Sequence, residues 1–450
     1  MTPRSVHANA TRREEIARRL ASLPRDKQDA FAGWLDQRGI SVLSLPIVPQ
    51  ARPAVLPLSF AQRRLWLVAQ LHPDSAQYNI PRVYALTGAL DAAALERALH
   101  DLVVRHEALR TTFVEADGEP AQIVGPAPAA RLAVRDLTTF AESERLGLAR
   151  ALADDEASRA FDLARGPLFR ARLLRLAPAL HWLLVTSHHI VMDEWSDAVV
   201  TRELVELYDA HHTGRAPELP ALPIQYADYA LWQRRWLGDE VLAQQLAYWR
   251  AELGTEDHAL ALPTDPRAPA VASSDAAASH RFRLDPALYD RLRTFSARHH
   301  TTLFTTMLAV FHMVLHRFSG NREIRVGSPI ANRHRREIEG VVGCFANTQV
   351  LRSAVGPAVR FADHLGAVKR TAFAAQSNQD LPFEQLAKAL SPERQLDGTP
   401  LFQVMFSWHR GLADQRPGAG ALTISQEPAL DRFAKFDLVL HMTDEGTGLG

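Results

Sequence analysis

Residues 181–188 read HWLLVTSH, apolar or β-branched almost throughout, which is the pattern of a strand buried on both faces. Downstream, SDAVVTRELVELYDAHH (196–212) places apolar residues three and four apart and predicts a helix capped by Ser196 or Asp197. The same spacing predicts a helix over 59–71, with Ser59 as cap and Leu65, Trp66 and Val68 on its apolar side. An extended stretch follows at 82–86, then Asp91 caps a helix through AAALERALHDLVVRHEAL (92–109), which runs into a strand, LRTTFVEADG (109–118). Residues 168–176 read as a further strand ahead of the one centred on 183–187, giving a first lobe of helices laid on a sheet. YADYALWQRRWL (226–237) and LAQQLAYWRAEL (242–253) are helices crowded with aromatic residues, and LPTDPRAPAVASSDAAAS (262–279) has the composition of a crossing loop. A second lobe opens with HRFRLDPALYDRLRTFSARHH (280–300). A markedly apolar helix over 301–320 and a strand over 322–331 repeat, in outline, the helix-then-strand order of 91–113.

A chain of 450 residues exceeds what one ordinary core organises, so two lobes are expected. The divisions fall at 1–50 for a helical leader, 51–255 for the first lobe, 256–280 for the crossing linker and 281–450 for the second lobe. Within the leader, 11–20 and 26–38 predict two short helices, the second with Phe31 and Trp34 on an apolar side and Gly39 as a stop. Four prolines between 44 and 59 mark a linker. The leader is either a solvated appendage or a docking helix pair that meets another protein.

Composition narrows the function classes. The hydrophobic share of 47% is that of a soluble globular protein, and the formal charges sum to zero, so nucleic acid and membrane surfaces are not expected partners. Cys344 is the single cysteine and cannot form an internal disulfide, which points to an intracellular, cytoplasmic setting. Its surroundings, GVVGCFANT, include no adjacent histidine or cation to activate a thiol. No run approaches a membrane span, no secretory signal opens the chain, and neither a GxSxG elbow nor a phosphate-binding glycine loop is present.

The chemistry concentrates at HHIVMDEWS (188–196), where the buried strand runs out and the chain turns toward a helix. Neighbouring side chains on a strand point to opposite faces, so His188 and His189 have different tasks, one facing a cavity and one packing behind it. Imidazole suits proton movement near neutral pH. A metal site at His189 and Asp193 lacks a nearby third ligand, so no metal is expected.

HHIVMDEWS resembles the HHxxxDG motif of the condensation domains of nonribosomal peptide synthetases. The family's other motifs are resembled in order by LSFAQRRLWLVAQLHPDSAQYNIP (58–81), RHEALRTTF (105–113), YADYALWQRRW (226–236), GSPIANRHRREIEGVVGCFANTQVLR (327–352), NQDLPFEQL (378–386) and TPLFQVMFSW (399–408). The resemblance implies an α/β fold of two chloramphenicol acetyltransferase-like lobes in a V-shaped pseudo-dimer. It implies an acyltransferase that joins a donor acyl or peptidyl thioester to the amine of an acceptor aminoacyl thioester. Donor and acceptor carrier domains present both on phosphopantetheine arms, so the domain needs no cofactor of its own. An adjoining adenylation domain is a further partner, and the piece itself is expected to be an excised, monomeric domain.

By the same resemblance His189 is the imidazole that serves the amine as base, positioner or stabiliser of the tetrahedral intermediate, with His188 in support. Asp193 is structural, and the resemblance points to Arg105, with Arg110 as alternative, for its cationic partner. Glu194, Trp195, Ser196 and Asn347 are candidates to line the substrate tunnel. Two positions depart from the family pattern. Glu194 replaces the motif glycine and either narrows the tunnel or points outward at a helix start, and Asn378 replaces a histidine of local packing importance. The elongation type joining L-residues is the nearest subtype. The alternatives are a starter domain that N-acylates the first amino acid from acyl-CoA or an acyl carrier, and a non-catalytic interface domain of the same fold.

Overall fold

The computed structural model describes residues 3–127, 131–237, 239–254, 260–263, 277–391, 401–410, 415–417, 422–427 and 434–450. The fold is mixed α/β, and the chain forms two compact units. The first comprises Met1–Gly238, Arg333–Phe345 and Gln415–Ala429, and the second comprises Asp239–Asn332, Ala346–Asp414 and Leu430–Gly450. Lobes read from sequence as the unbroken stretches 51–255 and 281–450 thus differ from the units, which exchange segments. The expected crossing linker 256–280 lies outside the described residues except for 260–263 and 277–280.

The first unit is built on a six-stranded sheet whose central pair, Asn79–Thr87 and Leu180–His188, runs antiparallel with Asn79 opposite His188. Strand alternation divides the side chains between two faces. Tyr84, Leu86, Leu183 and Val185 pack with the helices Ala92–Arg105 and Glu194–Thr213. Val83, Ala85, Trp182 and Leu184 pack on the opposite face, where Ala149 of the helix Glu142–Ser158 meets them. The short strand Thr423–Glu427 joins this sheet antiparallel to Asn79–Thr87, more than 330 residues distant from it in sequence, and Gln415–Pro417 pairs with its other side as the edge.

Local rules account for several boundaries. Ser59 closes a full capping box with Gln62 at the start of Phe60–Leu71, and Asp91 caps Ala92–Arg105 by accepting from Ala94 N. The helix expected over 92–109 ends at Arg105, because His106 adopts extended angles (φ −105°, ψ 103°) and Glu107–Arg110 forms a 3-10 turn instead. The leader helices are longer than expected at the first and shorter at the second, Pro3–Ser22 and Arg25–Asp36. Ala17, Leu20, Leu35, Leu45 and Val48 close a small core of their own, with Trp236 packed against it.

The second unit carries a four-stranded sheet in the order Leu438–Asp444, Val404–Arg410, Glu323–Ile330, Asn347–Ala354. Its first three strands are parallel and the last is antiparallel. The apolar helix Leu303–Ser319 packs in its core and ends at Gly320, whose φ of 73° is the left-handed stop that glycine supplies without strain. Among the described residues no helix is long and apolar enough to cross a membrane.

Candidate active site

The strand Leu180–His188 is buried along nearly its whole length and ends at the two imidazoles. His188 continues the register of Trp182 and Leu184 and is 5% exposed, its ring meeting Phe161 edge-on at 6.1 Å. Its Nδ1 accepts from Ile190 N at 3.1 Å, so that nitrogen carries no proton while the bond stands. His189, the first residue past the strand, is half-buried, and its backbone N donates to Tyr78 O at 2.9 Å. The two histidines therefore have the split environment that strand alternation predicts.

Asp193, 1% exposed, caps the helix Glu194–Thr213 by accepting from Ser196 N at 2.8 Å, a place that sequence reading assigned to Ser196 or Asp197. Its Oδ1 also takes the Ser196 hydroxyl at 2.7 Å and Arg333 Nη2 at 3.0 Å, while Oδ2 accepts from Phe345 N at 2.9 Å. Arg333 is the buried cation, and neither Arg105 nor Arg110 holds that place. Arg105 donates to Glu203 at 2.8 Å and to Pro220 O at 2.6 Å, and Arg110 to Gly125 O at 2.5 Å. Arg333 in turn donates to Ile338 O and Val341 O, and its guanidinium stands 4.2 Å over the Phe345 ring. One arginine thus binds the aspartate and shapes the loop that supplies Phe345 N. Sequence reading missed it although it stands inside the motif-like stretch 327–352, because the partner lies 140 residues away.

The same loop delivers Cys344, whose Sγ lies 3.8 Å from His189 Nδ1. The histidine that its sequence neighbourhood lacks is supplied by the fold. Tyr226, from the YADY stretch, donates to Cys344 O at 2.6 Å and contacts Ser59 Oγ at 2.8 Å, and complete burial pushes its phenol pKa well above the ordinary value. Gly343 is required by contact: a Cβ there would stand 1.8 Å from Tyr226 Cδ2. Four stretches far apart in sequence, around Ser59, Asp193, Tyr226 and Cys344, are therefore tied into one knot behind His189.

The tunnel candidates divide. Glu194 is exposed at the first turn of its helix, where a carboxylate complements the dipole, which is the outward alternative. Trp195 is 44% exposed and anchored by Nε1 to Glu339 O at 2.9 Å. Ser196 is not a lining residue: it is fully buried, and its hydroxyl oxygen is shared among Asp193, Arg333 and the backbone of Gly343. Asn347 is also structural. Its amide nitrogen donates to Gln379 O and Leu381 O and its oxygen accepts from Phe383 N and Thr348 N, so its side chain fastens the turn before the helix Phe383–Leu390. Asn378 serves local packing, its side chain donating to Ala374 O and its carbonyl accepting from Trp249 Nε1. Among the described residues no three His, Cys, Asp or Glu side chains gather as they would around a metal ion.

Residues 53–450 match the family model described as condensation domain. One of the proteins that make up the linear gramicidin synthase of Brevibacillus parabrevis is 49% identical over 81% of this chain. Phosphinothricin tripeptide synthetase PhsC of Streptomyces viridochromogenes is 39% identical over 96% of it. The chain spans only 5% and 40% of those two proteins. Among solved structures, the X-domain from teicoplanin biosynthesis, in its complex with OxyB, superposes with a TM-score of 0.79 at 29% identity, covering 90% of this chain and 88% of that one.

Proposed function

The chain belongs to the condensation-domain family, and on that premise we propose that it forms an amide between a donor acyl or peptidyl thioester and the amine of an acceptor aminoacyl thioester. Both substrates ride on phosphopantetheine arms of partner carrier domains, the chain holds no cofactor of its own, and the setting is the cytoplasm. The acceptor nitrogen attacks the thioester carbon, a C–N bond forms, the C–S bond breaks, and the amine proton ends on the departing thiolate. An amine does this only when neutral and aligned, so the enzyme's task is to orient the nitrogen and move its proton. His189 has that role. Its backbone is pinned by Tyr78, and the Asp193–Arg333–Phe345 knot holds the loop behind its ring.

The observation that carries this reading is the different treatment of adjacent imidazoles: His188 is sealed in and occupied by Ile190 N, while His189 stays half-buried at the strand's end. The elongation subtype is favoured because one similar protein, the tripeptide synthetase, bears the name of a peptide-assembling enzyme. A test is intact-mass analysis of an aminoacyl acceptor carrier incubated with this domain and either aminoacyl-carrier or acyl-CoA donors. His189→Ala is expected to lower amide formation roughly 10²–10⁴-fold without unfolding the domain. Near-native turnover in that variant refutes the assignment, and product from acyl-CoA alone assigns the starter subtype.

A recruitment role has one observation in its favour, the teicoplanin X-domain solved in complex with OxyB. No amide from any loaded pair, together with stable capture of a purified partner enzyme, would support that reading instead.

A further inference from the structure

Residues 1–52 precede the matched region, yet within the first unit the stretch 43–47 packs against the loop that completes the site. Ile47 shares a buried cluster with Tyr226, Ile338, Val341 and Phe345, and Leu43 packs against that cluster. The polar connection is Arg335. Its guanidinium donates to Leu43 O and to Leu45 O, the latter at 3.0 Å, and stands 4.4 Å over the Trp232 ring. Between those carbonyls, Ser44 O accepts from Arg13 of the helix Pro3–Ser22, so the turn Val42–Ser44 is gripped from both sides. Asp29 of the second leader helix pairs with Arg235, which fastens the hairpin to the helix Tyr226–Trp236.

Arg335 stands two residues after Arg333, and the segment from Arg333 to Phe345 contains no strand and only the 3-10 turn Arg336–Ile338. Such a segment has little ladder bonding to fix its path. Its near end is held at Arg333, on the Asp193 side, and at Arg335, on the leader side, and farther along Trp195 bonds Glu339 O, Ser196 the Gly343 backbone and Tyr226 Cys344 O. What it carries is Cys344, against the His189 ring, and Phe345 N, on the Asp193 carboxylate.

We propose that Arg335 is a positioning residue for the amide-forming reaction, and that the N-terminal hairpin is the anchor through which it sets the loop behind His189. The kinetic part rests on the function proposed above; the positioning part does not. Cys344, the single cysteine and 3% exposed, reports on the loop directly. In the full chain, Arg335→Ala is expected to speed labelling of Cys344 by a small maleimide about tenfold under conditions where the domain stays folded. Arg335→Lys keeps the charge but loses the two-carbonyl fork and is expected to fall between parent and alanine variant. For amide formation, kcat should drop roughly 10- to 100-fold while KM for the two loaded carriers stays within about twofold.

Labelling that rises in Arg335→Ala supports the anchor even if the parent forms no amide, so the two readings fail separately. Labelling and kcat unchanged from the parent overturn it. So does labelling that rises only in step with the unfolded fraction measured by denaturant titration. Should Arg335→Ala not fold, the same comparison on Arg335→Lys decides.

Discussion

Asp193 and Glu203 lie ten positions apart at the start and in the middle of one helix, both buried, and each meets an arginine. Their surroundings differ in what they connect. Asp193 takes hydrogen bonds from Ser196, Arg333 and Phe345 N, and the side chain of its arginine is 1% exposed. Glu203 takes Arg105 at 2.8 Å and His106 at 2.8 Å, and Arg105 keeps 18% of its side chain exposed, with its far end on Pro220 O. The Glu203 cluster fastens one helix to its neighbour at a rim that water reaches, whereas the Asp193 cluster fastens a remote loop to the strand end that carries the imidazoles. A buried carboxylate with an arginine is thus not a signature of a site; what it holds in place decides.

The largest effect should follow from Asp193→Asn. It leaves Arg333 charged and sealed, and the loss expected by urea titration is about 3–5 kcal/mol. A loss no greater than that of the Glu203 variant would erase the contrast between the two clusters.

Glu203→Gln should lose about 1.5–3 kcal/mol, since Arg105 can turn toward water. It should also change the pH dependence. Burial pushes the Glu203 carboxyl up, but hydrogen bonds and charge from His106 and Arg105 outweigh it and leave the pKa below its ordinary 4.5. A lowered carboxylate stabilises the fold above its unfolded pKa, and that contribution disappears as pH falls from 4.5 through the folded value. Urea midpoints between about pH 6 and pH 3 should therefore fall less steeply in Glu203→Gln than in the parent.

Smallest is Glu194→Gly, which removes an exposed charge from the first helical turn and is expected to change stability by only about 0.3–1 kcal/mol. A larger loss, or a change in donor preference in the carrier assay, would show that the residue faces the reactants after all.

Much of the scaffold is written in local rules. Ser59 and Asp91 declare their helices through the capping oxygen, Gly39 and Gly320 mark stops at φ values near 70°, and the unbroken apolar run before His188 shows a strand with no solvent face. The site is less legible, and the reason is distance. Which arginine answers Asp193 is settled by the path of residues 333–345, while the nearer candidate, Arg105, binds Glu203. Cys344 gains its histidine, Ser196 its bonds to Arg333 and Gly343, and Asn347 its bonds to Gln379, Leu381 and Phe383, from tertiary contacts. The strand Thr423–Glu427, TISQE, is short and partly exposed, with no alternation strong enough to show which sheet it joins.

The separation between Asp193 and Arg333 has a consequence during translation. A ribosome adding about 5–20 residues per second needs roughly 7–28 s to synthesise the 140 positions between them. Throughout that interval the nascent carboxylate has its local helix cap but not its counter-charge, so the pocket stays wet and unfinished. Closure around the imidazoles is a late event in the life of the polypeptide, and the strand Thr423–Glu427 that pairs with Asn79–Thr87 emerges later still.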